Sequence, residues 1–193
     1  MSSQVATMQR TTNVKITILG KAAIGKSSLT YRFLNKEALD NHDATIEDKY
    51  KTYERIENEN VEIEVLDTAG EEDYQNLRDS WISYGEGFVL TFAVNDKESF
   101  TMLNELYERI LALKGAGCPI IIAGNKCDLT NERVVTYEEG KNLALKWGIP
   151  FLETSAKENI KCKDVFMDVA HKIYAKKKRT TTRNANPPCC FIF

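Results

Sequence analysis

Hydrophobic and polar positions along the chain predict strands and helices in alternation. Residues 14–19 alternate between apolar and polar side chains as a strand does, whereas residues 88–94 and 119–123 are continuous apolar runs, typical of strands buried on both faces. Residues 163–177 place apolar side chains three and four positions apart, which predicts an amphipathic final helix. Strands that alternate with helices predict an α/β fold in which helices cover both sides of a mainly parallel sheet.

One segment in the first half of the chain predicts a hairpin instead. Residues 49–56 and 61–66 are predicted strands, and the polar residues 57–60 between them are a predicted turn. The other predicted elements are helices at 27–34, 99–113 and 136–147, the second capped by Ser99 and the third opened by a capping box at Thr136, and a short last strand at 150–154. We therefore expect a six-stranded, mainly parallel sheet with one antiparallel edge strand and about five helices.

Composition narrows the class of protein without naming an activity. The 193 residues are 42% hydrophobic and 28% charged, which suits one soluble α/β domain of ordinary size. The net charge of −2 gives no basis for nucleic-acid binding, and no apolar run approaches the ~20 residues that span a bilayer. Five cysteines, an odd number without metal-ligand spacing, indicate reduced thiols in a cytosolic protein. Residues 1–12 are a polar leader, and we expect a monomer.

The strongest chemical signal is the pattern Gly-x-x-x-x-Gly-Lys-Ser at residues 20–27, between the first predicted strand and the first predicted helix. Gly20 and Gly25 allow backbone turns that a Cβ forbids, so that the loop amides can surround phosphate oxygens. Lys26 adds a positive charge at the outer phosphates, and the Ser27 hydroxyl can ligate Mg²⁺. The alternative is an incidental surface turn, but the strand and helix on either side favour a P-loop NTPase fold.

A second motif, Asp67-Thr68-Ala69-Gly70, follows the strand predicted at 61–66. A carboxylate at the end of a strand can hold Mg²⁺ directly or through water, and Gly70 leaves its backbone N–H accessible to a terminal phosphate. An aspartate at a strand end is more often a turn former. The P-loop upstream favours the metal-binding interpretation of Asp67.

Two further motifs indicate the base that is bound. In Asn125-Lys126-Cys127-Asp128, the Asp128 carboxylate can accept hydrogen bonds from two neighbouring donors of guanine, a pair that adenine lacks. Lys126 could pack along the base, and Asn125 could tie the loops together. Residues 154–157, Thr-Ser-Ala-Lys, would offer a backbone N–H to guanine O6. Asn-Lys-x-Asp alone also makes an ordinary turn, so the signal comes from the four motifs in order.

With these motifs, the chain resembles the Ras-like small GTPases from about residue 13 to residue 177, and residues 45–50 resemble the Ras and Rap branch. The resemblance implies a switch that binds GTP or GDP with Mg²⁺ and hydrolyses GTP. It implies that Lys26 binds the β and γ phosphates, that Ser27 and Thr45 ligate Mg²⁺, and that Asp67 acts through water. The implied nucleotide-binding residues are Gly20, Ala22, Ala23, Ile24, Gly25, Lys26, Ser27, Ser28, Thr45, Asp67, Gly70, Asn125, Lys126, Asp128, Ser155, Ala156 and Lys157.

The resemblance also implies partners. Residues 35–50 and 70–84 would be the two segments that reorder when the γ-phosphate leaves. Effectors would bind residues 42–50, with Thr45, Ile46, Glu47 and Asp48 forming the effector surface. A guanine-nucleotide exchange factor and a GTPase-activating protein would regulate the switch.

Several residues depart from the usual pattern of the family. Glu71 stands where a glutamine usually orients the attacking water, and with Lys26 it is the candidate catalytic residue. A carboxylate there could act as a base but would repel the phosphate. Ala22 and Ala23 replace two glycines, which together with Glu71 predicts a weak response to activators that insert an arginine. The departures in the first switch segment are Ala38, which predicts fast nucleotide release, and His42 and Ala44, which predict a less pre-organised loop.

The end of the chain predicts a membrane anchor. Residues 176–179 are basic, and the chain ends Cys190-Phe191-Ile192-Phe193, a Cys-a-a-X pattern whose last residue favours a geranylgeranyl group. Cys189 could carry a second lipid, and basic residues would add attraction to an anionic membrane. We therefore expect a GTPase domain at 13–177 and a targeting tail at 178–193 on the cytoplasmic face of a cell membrane. The alternative is a disordered hydrophobic end.

Two other functions remain open at this point. Because of Glu71, Ala22 and Ala23, the protein could be an adaptor that stays bound to GTP without useful hydrolysis. A P-loop kinase for a small metabolite is a weaker alternative, since it gives no role to residues 125–128 or 154–157.

Overall fold

The computed structural model describes residues 11–35, 47–70 and 75–185. Within these residues a six-stranded sheet is accompanied by five α-helices, and the predicted α/β fold is confirmed. The elements are β1 (Thr12–Leu19), α1 (Lys26–Phe33), β2 (Glu47–Ile56), β3 (Glu59–Thr68), α2 (Gln75–Tyr84), β4 (Gly87–Ala93), α3 (Lys97–Lys114), β5 (Ile120–Asn125), α4 (Tyr137–Trp147), β6 (Phe151–Glu153) and α5 (Cys162–Ala185).

The sheet has the strand order β2-β3-β1-β4-β5-β6. Only the edge strand β2 is antiparallel to its neighbour among these described strands, as the predicted hairpin requires, and every other pair is parallel. Ile18 of β1 lies beside Asp67 of β3, and Ala93 of β4 lies beside Asn125 of β5. The motifs that follow these strands therefore begin at one edge of the sheet.

Apolar side chains fill both faces of the sheet. On one face α1 and α5 pack together, with the rings of Phe33 and Phe166 stacked at a centroid distance of 4.7 Å. On the other face Trp81 of α2 and Phe92 of β4 belong to a second cluster that also contains residues of α3 and α4. All seven residues of β4 are buried, which explains why its sequence is apolar without alternation.

The cap predicted for α3 is wrong. Asp96, not Ser99, precedes the helix, and its carboxylate accepts a hydrogen bond from the Ser99 N–H at 3.1 Å. The Ser99 hydroxyl instead donates to the Asp96 carbonyl at 2.7 Å and accepts from the Ala93 N–H at 3.1 Å, so it ties the helix to the end of β4. An aspartate at this position satisfies an amide that the helix itself leaves unpaired. The capping box at Thr136 is confirmed.

The predicted end of the last helix is also wrong. Helix α5 continues past residue 177 to Ala185, and its basic end contacts the hairpin between β2 and β3. Lys178 pairs with Glu57 at 2.6 Å and with Glu59 at 3.5 Å. The apolar periodicity stops near residue 177, but these pairs with the hairpin stabilise the polar continuation of the helix. In the part of the chain that the structure describes, no helix combines the length and the hydrophobicity needed to cross a bilayer.

Candidate functional site

Direct hydrogen bonds join the loop after β1 to the loop after β5. The Asn125 side-chain amide donates to the Ile24 carbonyl at 2.8 Å, and the Lys126 ammonium donates to the Ala23 carbonyl, also at 2.8 Å. The Gly-rich loop and the Asn-Lys-x-Asp loop are therefore parts of one site, although about a hundred residues separate them in the sequence.

Both motif glycines of the first loop have a visible structural reason. Gly20 has a φ of 147°, and a Cβ there would overlap the Thr91 carbonyl oxygen. Gly25 has a φ of 92°, and a Cβ there would lie 2.6 Å from the Asn125 amide nitrogen. Both backbone conformations are unfavourable for residues with a Cβ. Glycine is therefore required at both positions by the backbone conformation and by the close packing of neighbouring atoms.

The side chains expected at the phosphates lie at the start of α1. Lys26 is buried, and its ammonium donates to the Gly20 carbonyl at 2.9 Å and to the Lys21 carbonyl at 2.8 Å. Ser27 and Ser28 follow in the first helical turn and are half-buried. Because a helix N-terminus carries partial positive charge and unpaired amides, this turn is a favourable place for an anion.

The two alanines inside the loop differ in their surroundings. Ala23 has a φ of 60°, the left-handed conformation that costs an L-residue roughly 1–2 kcal/mol. Ala22 lies against Gly70, and a Cβ on Gly70 would overlap the Ala22 methyl group and backbone. The Ala22 side chain therefore marks where the first loop and the end of the Asp67 motif meet.

Asp67 is the penultimate residue of β3, and its side chain has no exposed surface. A buried carboxylate is retained only when hydrogen-bond donors or a cation compensate its charge. Across residues 11–35, 47–70 and 75–185, no three His, Cys, Asp or Glu side chains are grouped so as to hold a metal ion. The donors on the described elements, the Ser27 hydroxyl and the Asp67 carboxylate, are oxygen atoms. They suit Mg²⁺, which proteins commonly hold through one or two carboxylates together with substrate phosphates.

The two loops expected at the base are bonded to each other. Asn125 is buried, and its side-chain oxygen accepts from the Thr154 hydroxyl at 3.2 Å and from the Ala156 N–H at 3.4 Å. The Ser155 hydroxyl donates to the Asp128 carboxylate at 2.5 Å. This bond orients Asp128, and a carboxylate oriented in this way can receive two parallel donors.

Two arginines outside the motifs support these loops, and the sequence analysis missed both. Arg133 forms a double hydrogen bond with Glu153 at 2.5 and 3.0 Å, and this pairing raises the pKa of Arg133. Arg32 of α1 donates to the carbonyl oxygens of Ala156 and Lys157. No local pattern in the sequence marks either residue, because the partner of each lies far along the chain.

The described part of the expected effector surface is connected to α2. The Glu47 carboxylate accepts a hydrogen bond from the Trp81 indole at 2.9 Å, and Trp81 is itself buried. Asp48 is exposed at the start of β2. The hydroxyls of Tyr31 and Tyr50 are 3.0 Å apart, and burial raises the pKa of Tyr50. The start of β2 is therefore attached both to α1 and to α2.

Some predicted site residues lie outside the described residues, and their predictions stay predictions. They are Ala38, His42, Ala44, Thr45, Ile46, Glu71, Cys189 and Cys190.

Comparison with known proteins agrees with the geometry. The model of the Ras family matches residues 15–175. Ras-related protein Ral-B of Rattus norvegicus is 39% identical over 165 residues, which cover 84% of this chain and 80% of that protein. Ras-related protein O-RAL of Diplobatis ommata is 38% identical over the same length and shares of the two chains. This chain therefore belongs to the Ras family of small GTPases and is a GTP-binding GTPase switch.

Proposed function

We propose that the protein is a Mg²⁺-dependent guanine-nucleotide switch that hydrolyses GTP slowly and signals to effectors at a membrane. One observation carries the nucleotide part of this proposal. Asn125 bonds to Ile24 in the phosphate loop, and it also bonds to Thr154 and Ala156 in the loop after β6, which is expected at the base and is called the base loop below. A ligand that reaches both loops needs a base at one end and phosphates at the other, as a nucleotide has.

At the base end, Asp128 accepts the two neighbouring donors of guanine, and Lys126 lies along the base. An adenine in the same place would leave the Asp128 carboxylate without that donor pair, and a buried polar group without a partner is costly. The Ser155–Asp128 bond supports this role because it holds the carboxylate in a single orientation before the base arrives.

At the phosphate end, Lys26 exchanges its bonds with the loop carbonyls for the β and γ phosphate oxygens. Ser27 and Thr45 are the proposed Mg²⁺ ligands, with Asp67 acting through water. An ion held by these residues would supply positive charge that offsets the phosphate charge during hydrolysis. The Lys26 side chain is already buried within its own loop before a ligand binds, so its ammonium group moves little to reach the phosphates.

Hydrolysis is the step in which the chain departs from its family. A carboxylate at position 71 could accept a proton from the attacking water, but its charge would oppose the phosphate by about 4 kcal/mol at ~4 Å and an effective dielectric of ~20. The methyl group of Ala22 abuts Gly70 and narrows the approach for an arginine from an activating protein. This contact also favours the second candidate function, a hydrolysis-impaired adaptor that stays bound to GTP.

Single-turnover hydrolysis separates the two functions. Purified protein that retains GDP and converts loaded GTP within hours is a switch, whereas retained GTP without decay supports the adaptor. An arginine-finger activator should accelerate the wild type weakly and Ala22→Gly more strongly. Strong acceleration of the wild type would contradict this account. Glu71→Gln is compared with Glu72→Gln, which removes the same charge from the neighbouring position and should leave the rate unchanged.

The membrane part of the proposal rests on the sequence of the tail. Cys190 is the proposed prenylation site, and Cys189 is a second candidate site for a lipid. Lysines near the end of α5 add attraction to anionic lipids. In cell fractionation, Cys190→Ser should move the protein from membranes to the soluble fraction, while Cys118→Ser, which changes a cysteine of the domain, should not. A Cys190→Ser protein that stays with membranes refutes this anchor.

Effectors are proposed to bind residues 42–50, with Thr45, Ile46, Glu47 and Asp48 at the centre. An exchange factor and a GTPase-activating protein are the proposed regulators. The hydrogen bond between Glu47 and Trp81 supports a connection between this surface and α2. The test is GTP-dependent capture of partners by wild type and Asp48→Ala, with Asp168→Ala on α5 as the matched control.

A further inference from the structure

Arg32 belongs to none of the nucleotide-binding motifs, yet it contacts the loop that faces the base. It lies in the last turn of α1 and is half-buried. Its Nε donates to the Ala156 carbonyl at 2.7 Å, and its Nη2 donates to the Lys157 carbonyl at 3.1 Å. Hydrogen bonds from an always-charged guanidinium are stronger than neutral ones, and its fork can hold two acceptors at once.

These bonds fix the direction of the neighbouring amides. In a planar trans peptide unit the C=O and the N–H point in opposite directions. When the Ala156 carbonyl points to Arg32, the N–H of the same peptide unit, that of Lys157, points to the other side. The Ser155 carbonyl accepts from the Cys162 thiol at 3.2 Å in the same manner, and the Ala156 N–H of that unit points to Asn125.

Three successive carbonyls, those of residues 155–157, are thus held by Arg32 and Cys162. The amides of Ala156 and Lys157 point away from these donors, and the long 3.4 Å bond from the Ala156 N–H to Asn125 is one that guanine O6 would replace. Guanine carries an acceptor, O6, where adenine carries a donor. Two amides fixed in this direction would accept guanine and reject adenine, independently of Asp128.

We propose that Arg32 is a positioning residue for guanine recognition, which holds residues 155–157 so that their amides meet the O6 acceptor. This inference rests on the proposed base site, because it places the base between Asp128 and residues 155–157. Arg32 also joins the base loop to α1, the helix that begins with Lys26 and Ser27. It therefore fixes the position of residues 154–157, at the base, relative to the start of α1, at the phosphates.

The test compares three diphosphates on the full-length protein loaded with Mg²⁺. GDP carries O6 and both donors to Asp128, inosine diphosphate lacks the exocyclic amine, and 6-thio-GDP replaces O6 by the weaker acceptor sulfur. Dissociation rates are measured for wild type, Arg32→Ala and Arg32→Lys. Arg32→Ala should release GDP and inosine diphosphate about tenfold faster, the loss expected when charge-assisted hydrogen bonds cease to hold the amides.

The diagnostic result is a pair of ratios of dissociation rates, that of 6-thio-GDP to GDP and that of inosine diphosphate to GDP. In Arg32→Ala the preference for GDP over 6-thio-GDP should fall severalfold, because the acceptor at position 6 no longer meets fixed amides. The preference for GDP over inosine diphosphate should stay constant, since Asp128 is unaltered. Arg32→Lys, which can hold one carbonyl, should give an intermediate value. If Arg32→Ala does not fold, Arg32→Lys carries the test with a rise of about threefold in GDP release.

Equal weakening of all three nucleotides would overturn the inference, because a merely structural role loosens the whole site without regard to position 6. Unchanged GDP release would overturn it as well. The control is Arg109→Ala, which removes an arginine paired with Asp79 on another face and should change no ratio. The proposed function fails separately, and visibly, if the wild type binds no guanine nucleotide or binds adenosine diphosphate equally well.

Discussion

Removing the Asn125 side chain should weaken both the fold and nucleotide retention. The bond from its amide to the Ile24 carbonyl is 2.8 Å long, and the bonds to its oxygen from Thr154 and Ala156 are 3.2 and 3.4 Å. In Asn125→Ala, all three partners lose a hydrogen bond at a position that is 1% exposed. With about 1.5 kcal/mol for the short bond and about 0.7 kcal/mol for each long one, the loss is about 3 kcal/mol.

Two measurements check this magnitude. Urea unfolding of the Asn125→Ala variant should give a free energy of unfolding about 3 kcal/mol below that of the wild type. GDP release should rise about a hundredfold if most of this energy holds the phosphate and base loops in the geometry that the nucleotide needs.

The matched control is Thr17→Val. The Thr17 hydroxyl is buried and donates to the Trp81 carbonyl at 3.2 Å, so this variant loses one interior hydrogen bond away from both loops. It should cost about 1 kcal/mol of stability and leave GDP release unchanged. The reasoning is refuted if Asn125→Ala destabilises the fold but releases GDP at the wild-type rate, because Asn125 would then not couple the loops.

Three further predictions follow from single positions. The Thr91 hydroxyl is buried without a hydrogen-bond partner among the described residues, so Thr91→Val should raise the free energy of unfolding in urea by about 1 kcal/mol, and a loss would contradict this. Ala23→Gly should also stabilise the protein, by up to about 1 kcal/mol, because it relieves the left-handed conformation; an unchanged thermal midpoint would show that the loop bears no strain. Bonds from Lys97 and Thr136 lower the pKa of Glu139 to about 2, below its ordinary 4.5, so its contribution to stability is complete above about pH 4.5 and lost as the pH falls towards 2. The wild type should therefore be more stable than Glu139→Gln near pH 6, and the difference should vanish near pH 2; a difference independent of pH would contradict this.

Elements with strong local signals could be predicted from the sequence. The apolar run at residues 88–94 predicted β4, which is observed at Gly87–Ala93, and Thr136 marked the start of α4. Helix α2 was not predicted as a helix. Its buried residues Trp81 and Ile82 are flanked by polar positions, and Arg78 pairs with Glu105 of α3 at 2.5 Å. Its stability comes from tertiary packing rather than from its own periodicity.

The candidate site shows the same difference between residues with a local sequence signal and residues that depend on tertiary contacts. Motif residues could be predicted because each has a fixed neighbour in sequence, as Gly25 has in Lys26. Arg32 could not, because its partner Ala156 lies 124 positions away, and an arginine in the last turn of a helix is ordinary in sequence terms. The contact exists only because α1 and the loop after β6 meet in the folded chain.

Two of the departures from the Ras pattern, Ala22 and Ala23, lie in the described part of the phosphate loop, and their surroundings differ from those of the base-binding residues. Asn125, Asp128 and Ser155 bond to one another or to adjoining loops, so replacing any of them would cost stability as well as base recognition. Ala22 and Ala23 are exposed side chains, and a change there costs little beyond local strain. The base end of the site is therefore constrained twice, by folding and by binding, whereas the phosphate end is constrained mainly by chemistry. Substitution at the phosphate end can change how fast the GTP-bound state ends while guanine binding is kept.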